Sequence, residues 1–170
     1  MSRVVLVDEN DNELGTEDKI TAHVEGKLHR AFSVFVFNDE GKLMLQRRAE
    51  DKYHSGGLWS NTVCSHPGPG EEIIEAAHKR LKNEMGFDCP INEIFSFVYQ
   101  ADFENNLSEY ELDHVFFGAF NGIPHVNEKE VYDWKWVDVS ELKNNIEEEP
   151  ELYTYWLKEA LDKVMLFLEN

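Results

Sequence analysis

A thiol and an imidazole lie two positions apart in residues 61–67, at the end of a strand-like run and shortly before a predicted helix. Side chains at this spacing in a strand point to the same face, so Cys64 and His66 can serve one site. The thiol is a potential acid, nucleophile or ligand, and the imidazole a potential metal ligand. A single cysteine is more often an inert core residue, so this interpretation depends on what other segments contribute.

Other segments supply further metal-ligating residue types. His23 and His29 bracket a loop before the first central strand, and Glu109 and Glu111 place two carboxylates on one face of a later strand. Imidazoles suit Zn²⁺, Mn²⁺ or Fe²⁺, and added carboxylates favour octahedral coordination over a tetrahedral structural zinc. The alternative is that the histidines lie on the surface and the glutamates form a solvated strand edge.

The predicted helix adds a second acidic element. Arg80 and Glu84 are one turn apart, and Glu71 lies near the helix start, so a polar face can hold Mg²⁺ beside a phosphate. Taken alone, Arg80 and Glu84 form an exposed salt bridge.

The charge distribution limits the partners. The net charge of −18, from 34 acidic and 16 basic residues, disfavours nucleic acid and anionic membranes. The bases cluster on both sides of the Cys64 segment, at Arg47, Arg48, Lys52, Lys79, Arg80 and Lys82. Arginine binds phosphate in a bidentate manner, so these clusters favour a small polyanion, although each alone is typical of a solvated face.

The composition predicts one domain over residues 1–170 with a packed core, because 42% of the residues are hydrophobic. No apolar run is long enough to span a bilayer, and the first residues lack the zones of a signal peptide. Cys64 and Cys89 lie in different contexts, which favours reduced thiols and a cytoplasmic location. A monomer or weak homodimer is expected.

Residue patterns predict an α+β fold in which helices sandwich a mixed β-sheet. Strands are predicted at residues 3–8, 30–38, 42–48, 58–64, 94–103, 109–120 and 134–138, with 30–48 forming a central hairpin. Residues 8–15 are expected to turn, and 17–23 to be irregular or helical. Helices are predicted at about 71–85, 140–145 and 150–169. The first of them should end at Gly86 and bury a stripe made of Ile74, Ala77, Leu81 and Met85.

Residues 65–87, with Glu71, Glu84, Gly86 and Phe87, resemble a degraded Nudix box, the loop-helix element that holds Mg²⁺ on diphosphate substrates. The hydrolase pattern has Arg-Glu at residues 79–80 and Glu-Glu at 83–84, where this chain has Lys-Arg and Asn-Glu. Two carboxylates that Nudix hydrolases use for metal and water activation are therefore missing, which argues against hydrolysis.

The remaining motifs resemble type I isopentenyl diphosphate isomerase over almost the whole chain. They are residues 21–23, 28–33, 46–49, 59–67, 83–86, 109–111 and Tyr99. Ser65 stands where many members have Gly, and Met85 where Leu is usual. Asp113 and His114 also vary from the family pattern, without affecting a catalytic position.

The resemblance implies a set of site residues. One divalent metal, Mn²⁺ or Zn²⁺, would be bound by His23, His29, His66, Glu109 and Glu111. Glu84 and the backbone carbonyl of Cys64 would lie near an Mg²⁺ bound to the substrate diphosphate. The diphosphate would contact Lys19, Arg48, Lys52 and Arg80, and Trp156 would lie over the substrate.

The implied reaction is a 1,3-allylic proton shift that interconverts isopentenyl diphosphate and dimethylallyl diphosphate, the precursors of isoprenoids. Cys64 and Glu111 would act on opposite faces of the alkene, and Tyr99 would hydrogen-bond to Glu111 or relay its proton. Two alternatives remain open: a Nudix hydrolase of a nucleoside diphosphate derivative, and a catalytically silent, metal-dependent binding module.

Overall fold

The computed structural model describes residues 2–52, 55–103 and 107–169. Within these ranges one nine-stranded mixed sheet is formed by β1 (Arg3–Val7), β2 (Glu13–Asp18), β3 (His29–Phe37), β4 (Leu43–Arg48), β5 (Trp59–Ser60), β6 (Val63–Ser65), β7 (Ile91–Asp102), β8 (Ser108–Ala119) and β9 (Val131–Val137).

The helices are α1 (Lys19–Glu25), α2 (Ile73–Arg80), α3 (Val139–Glu148) and α4 (Tyr155–Leu168). A π-helical turn, Leu81–Met85, continues α2, and a 3₁₀ turn, Pro150–Leu152, precedes α4. None of the described helices combines the length and the apolar character needed to cross a membrane.

The central strand β3 separates two apolar layers. Its residues Phe32, Val34 and Val36 pack into a cluster with α2 and the π-helical turn, whereas Phe35 packs into a second cluster with α3 and α4. Alternation along one buried strand thus supplies both layers. The predicted α+β class, with a mixed sheet between helices, is confirmed.

The pairing of β3 with β8 is parallel and sets His29 opposite Glu111. Further along the same faces, Ser33 is hydrogen-bonded to Asp113, and beyond them Phe35 and Val115 enter the α3–α4 cluster. Each strand face is therefore polar at its start and apolar afterwards. This change places the ionisable residues together at one end of the parallel pair.

The strand predicted at residues 58–64 is in fact two short strands. β5 pairs with β4, and β6 pairs with β3. Between them, the Asn61 amide donates to the carbonyls of Val34 and Val63, and the Thr62 hydroxyl donates to that of Met44. These buried side chains satisfy backbone groups that a continuous strand would pair in another way.

Other predicted elements also needed correction. β2 was missed because residues 13–18 carry no alternating apolar pattern, and the predicted turn ends at residue 12. The hairpin strands β3 and β4 pair only at Phe37 and Leu43, because β3 pairs mainly with β8 and β6.

The helix predicted from residue 71 begins at Ile73, because the Glu71 carboxylate accepts a hydrogen bond from the amide of Gly68. Ile74 lies in its first turn and is 42% exposed, whereas Ile73 packs against the core.

Gly86 ends the π-helical turn in the left-handed region, with φ of 71°. The amide of His125 donates to the carbonyl of Met85, which draws that segment against the turn. A Cβ added at Gly86 would lie 2.2 Å from the His125 carbonyl oxygen. The predicted Gly86 cap is confirmed, and the close backbone approach explains why glycine is needed there.

Replacing Gly86 with Ala is expected to lower the free energy of unfolding by about 3 kcal/mol, because left-handed strain adds to a backbone clash. Gly41→Ala is the matched control, since Gly41 has φ of 74° and a Cβ added there would meet nothing within 4 Å. It should cost about 1 kcal/mol. Urea unfolding of both variants measures the difference, and equal losses would contradict the clash.

Candidate active site

One cavity collects the side chains that the sequence predicted to bind substrate or to act on it. It is lined by Lys19, Arg48, Lys52, Cys64, His66, Arg80, Glu84, Tyr99, Glu109, Glu111 and Trp156, and also by Phe32, Ser33 and Ser65, which were not predicted. His23 and His29 are fully buried beside Glu109 and Glu111. Residues from α1, β3, β4, β6, β7, β8, α4 and the end of α2 thus meet at one place.

The three imidazoles form a compact cluster whose ring centroids are 4.9–5.7 Å apart. His23 Nδ1 lies 2.6 Å from the Lys19 carbonyl oxygen, and His29 Nδ1 lies 2.9 Å from that of Lys27. A carbonyl can only accept, so each Nδ1 carries the proton and donates it. The Nε2 atoms are left facing the carboxylates, as in metal-ligating histidines held by backbone carbonyls.

The carboxylates of β8 face these nitrogens. Glu111 Oε2 lies 3.0 Å from His29 Nε2 and 2.5 Å from His66 Nε2, and Glu109 Oε1 lies 3.3 Å from His23 Nε2. The ligand atoms of His23, His29, His66 and Glu111 all lie within 4.8 Å of one another. Three imidazoles and one carboxylate suit a borderline divalent cation. Glu109 adjoins this group through His23, and its role as a fifth ligand stays a prediction.

The pKa values of the ionisable groups in this cluster are shifted in different directions. Burial opposes the charge on Glu111, but His66 and His29 outweigh it and hold the pKa of this carboxyl well below its usual range. Burial lowers the pKa of His66 to about 4, despite the opposing charge of Glu111. Burial opposes the charged form of His29, but its hydrogen bond to Glu111 and the charge of that carboxylate outweigh burial and raise the pKa of His29. Metal binding requires the ionised carboxylate and neutral imidazoles, so a cation here would take the place of the proton on His29.

Tyr99 lies between the two carboxylates. Its hydroxyl is 2.9 Å from Glu109 Oε2 and also contacts Glu111 Oε1. Register places Tyr99 opposite Glu111 in the antiparallel pair of β7 and β8. Burial, followed by the charges of Glu109 and Glu111, raises the pKa of Tyr99 well above its ordinary value. The phenol therefore keeps its proton and offers it to either carboxylate.

Cys64 approaches the cavity from the other edge of β3. Cys64 lies in β6 and pairs with Ser33 of β3. Glu111 lies in β8, which pairs with the opposite edge of β3. Neighbouring strands are about 4.8 Å apart, so the strands carrying the thiol and the carboxylate are separated by about 10 Å. Burial raises the pKa of Cys64 to about 12, although the charge of Arg48 acts against this. The thiol is therefore protonated at neutral pH.

The predicted phosphate-binding cations are held at another part of the cavity. Arg80 Nε donates to Glu84 Oε2 over 2.7 Å, and Gln46 Nε2 donates to Glu84 Oε1 over 3.0 Å. The alternative, in which Arg80 and Glu84 form an exposed salt bridge, is wrong, because the π-helical turn buries Glu84 to 5% exposure against β4. Burial, followed by the charge of Arg48, lowers the pKa of Lys19. Crowded cations of this kind favour a bound anion.

The sequence did not predict the contacts of two acidic residues beside the cavity, Glu130 and Asp113. Glu130 contacts the ammonium of Lys52, and its Oε2 lies 3.7 Å from Arg80 Nη2. Asp113 accepts a 2.7 Å hydrogen bond from the Ser33 hydroxyl, and burial raises the pKa of Asp113 well above its usual value. Glu130 belongs to no motif, so only the tertiary fold reveals it. Asp113 was considered only as a departure from the family pattern, although it is the third carboxylate in the alternation that contains Glu109 and Glu111.

Trp156 projects from α4 into the cavity. The Arg48 guanidinium lies 5.1 Å from the centroid of its indole ring, within cation–π range. The ring nitrogen donates a 2.8 Å hydrogen bond to the hydroxyl of Ser60. The indole is 4% exposed, so it forms part of the wall of the cavity.

Comparison with known proteins gives a consistent result. The NUDIX domain model matches residues 27–157. The chain is 55% identical to isopentenyl-diphosphate Delta-isomerase 2 of Aromatoleum aromaticum, over 96% of this chain and 86% of that protein. It is 51% identical to isopentenyl-diphosphate Delta-isomerase 2 of Photorhabdus laumondii, over 94% and 90% respectively.

Solved structures share the fold at lower identity. The crystal structure of DR0079 from Deinococcus radiodurans aligns with a TM-score of 0.79 at 21% identity, over 95% of this chain and 98% of that one. The MutT protein of Methanosarcina mazei aligns with a TM-score of 0.67 at 16% identity, over 84% and 96%. These likenesses concern the fold alone.

Replacing His29 with Ala is expected to weaken binding of Mn²⁺ or Zn²⁺ by about 100-fold or more, because it removes one of four converging ligand atoms. Equilibrium dialysis followed by metal analysis measures the affinity, with circular dichroism to check folding. His125→Ala is the control, since His125 is exposed and outside the cluster. Unchanged affinity in the His29 variant would contradict the assignment.

Proposed function

The chain belongs to the NUDIX family and, within it, to the isopentenyl-diphosphate Delta-isomerases, and from this premise we propose how its residues divide the reaction. The protein interconverts isopentenyl diphosphate and dimethylallyl diphosphate, the precursors of isoprenoids. One observation supports the assignment of roles: a protonated thiol and an ionised carboxylate enter the same cavity from opposite edges of β3.

Cys64 is the proton donor in this proposal. An unactivated alkene is a weak base, so its protonation needs an acid held against the terminal methylene carbon. Transfer of the Sγ proton to that carbon makes a methyl group and leaves a positive charge on the tertiary carbon. The raised pKa of Cys64 means that its thiolate readily takes a proton back after turnover.

Glu111 is the base. It removes a proton from the methylene carbon next to the cationic centre, and the released electron pair forms the new double bond. The proton goes to Oε1, because Oε2 faces the imidazoles of His29 and His66. As Oε1 takes it, the Tyr99 hydroxyl can turn its hydrogen bond to Glu109 Oε2, which lies 2.9 Å away. The hydrogen bond of the Tyr99 hydroxyl thus changes partner when Glu111 becomes protonated.

Two metals belong to the proposal, and the cluster of His23, His29, His66 and Glu111 supports the first of them. His23, His29, His66 and Glu111, with Glu109 as the fifth ligand, would hold one Mn²⁺ or Zn²⁺, which would orient the Glu111 carboxylate and keep it ionised. Glu84 and the backbone carbonyl of Cys64 would hold Mg²⁺ on the diphosphate, an arrangement in which one or two carboxylates suffice beside phosphate oxygens.

The diphosphate end of the substrate would lie among Lys19, Arg48, Lys52 and Arg80. All four cations line the cavity, and Arg48 and Arg80 offer bidentate geometry to phosphate oxygens. Anchoring this end fixes the distance of the alkene from Cys64 and Glu111. We expect these residues to contribute mainly to substrate affinity.

Trp156 would stabilise the carbocation through its ring face, by about 1–2 kcal/mol when desolvated. The same wall keeps water away, which matters because water would convert the cation into an alcohol. We expect α4 and the segment between His23 and His29 to provide this cover.

Hydrolysis of a nucleoside diphosphate derivative is not favoured. The hydrolase pattern has a carboxylate at position 80, where this chain directs the guanidinium of Arg80 into the cavity. Lys79 and Asn83 are exposed. The two free cysteines and the polyanionic substrate support a cytoplasmic site of action, with a small molecule as the partner.

Replacing Cys64 with Ala is expected to lower kcat for dimethylallyl diphosphate formation by about 10²–10⁴-fold, because the acid is lost. KM should change little, since the cations that would bind diphosphate remain. Cys89→Ala, which removes a cysteine outside the cavity, should behave as wild type. Proton NMR with isopentenyl diphosphate and Mg²⁺, with and without chelator, measures the conversion. No product from the wild-type protein would refute the function.

Glu111→Gln should also abolish turnover, because the base is replaced by a neutral amide. Glu111 is a predicted metal ligand as well, so the metal content of this variant must be measured alongside its rate. Turnover near the wild-type value would contradict the assignment of the base.

A further inference from the structure

We propose that Ser60 is a positioning residue for the isomerisation, holding the indole of Trp156 at the angle from which it faces the carbocation. This inference rests on the proposed function, because it concerns how a predicted substrate contact is oriented. It comes from the buried contact between the two residues and from the network in which Ser60 lies.

The contact joins α4 to the short strand β5. Trp156 Nε1 donates to Ser60 Oγ over 2.8 Å, and the Ser60 hydroxyl donates to Asn61 Oδ1 over 3.0 Å. Thr154 Oγ1 lies 3.4 Å from Ser60 Oγ. Ser60, Asn61 and Thr154 are at most 1% exposed, and Trp156 is 4% exposed. A buried indole N–H without an acceptor would be costly, so the bond fixes the ring.

The direction of the Ser60 hydroxyl is determined by its neighbour. Asn61 Nδ2 donates to the carbonyl oxygens of Val34 and Val63, at 3.1 and 2.9 Å. The amide can make these two bonds only with its nitrogen on that side, so Oδ1 faces Ser60. The single proton of the Ser60 hydroxyl goes to Oδ1, and its lone pairs remain for the indole N–H.

The network also connects Trp156 to the proposed acid. Val63, whose carbonyl accepts from Asn61, directly precedes Cys64 in β6. The amide of Thr154, which directly precedes α4, donates to the carbonyl of Trp59 over 2.9 Å. The hydrogen bonds at the break between β5 and β6 therefore fix the position of the Trp156 indole relative to the Cys64 thiol. Ser60 is the member that contacts the ring directly.

A tilted indole would affect the fate of the cation more than the binding of substrate. With less stabilisation and a looser wall, water reaches the tertiary carbon: its oxygen forms a bond to that carbon, one O–H bond breaks, and the proton leaves to solvent. The product is a tertiary alcohol diphosphate, heavier than the substrate by one water. Its share of the product reports on the orientation of the ring.

Ser60→Ala is the primary test. We expect kcat to fall about tenfold because of misplacement at the reacting centre, KM to stay within about twofold, and the alcohol share measured by mass spectrometry to rise. The ¹⁵N–¹H signal of the Trp156 indole, assigned by its loss in Trp156→Phe, should move in Ser60→Ala without substrate. Ser60→Thr, which keeps the hydroxyl, should restore the rate and signal.

Adding Trp156→Phe separates positioning from general stability, because Phe has no N–H for Ser60 to hold. In that background, Ser60→Ala should change neither kcat nor the alcohol share further. An equal loss of kcat in both backgrounds would overturn the proposal, as would a lower Tm with unchanged kcat and alcohol share. If wild-type protein made no dimethylallyl diphosphate, the proposed function would fail, while the indole signal would still test the Ser60 contact independently.

Discussion

The parallel register of β3 and β8 is the constraint on which the site depends. It sets His29 beside Glu111, and the next strand, β7, sets Tyr99 on the other side of the same carboxylate. A slip of β8 by one residue would turn Glu111 to the opposite face, away from both His29 and Tyr99. Burying so many ionisable groups is unfavourable by itself, so the apolar halves of the same strands, packed against α3 and α4, must hold the register.

Environment gives two acids opposite protonation states within one cavity. Burial favours the neutral form of both Cys64 and Glu111. Around Glu111 the imidazoles of His29 and His66 reverse that tendency, whereas nothing of comparable strength acts on Cys64, where Arg48 only opposes burial in part. The protonation states of the proposed acid and base therefore differ because of the charged groups that surround each of them. Because Cys64 and Glu111 lie on strands that pair with opposite edges of β3, the charged groups around one residue are separated from those around the other.

Much of this arrangement was predictable from the sequence, in part because local patterns identify residues and in part, as for Lys19 and Trp156, only because of the family resemblance. The Cys64 segment, the Glu109–Glu111 alternation and the Gly86 cap all carried their own signal, and the structure brings the predicted side chains together. What was missed depends on pairing between distant segments. β2 is a polar strand held by β1, and the break at Asn61 exists because its side chain bonds to β3. Glu130 reaches Lys52 and Arg80 only through the fold.

That last contact has a thermodynamic consequence. Lys52 already has a counter-ion in the protein, the carboxylate of Glu130, which also lies near Arg80. A phosphate that takes the place of Glu130 on Lys52 exchanges one anion for another, so the free energy of that contact is the difference between two pairings. The affinity should therefore depend less steeply on salt than the number of lining cations suggests. In an acidic chain, such an internal anion also keeps the cations ordered and close together while no ligand is present.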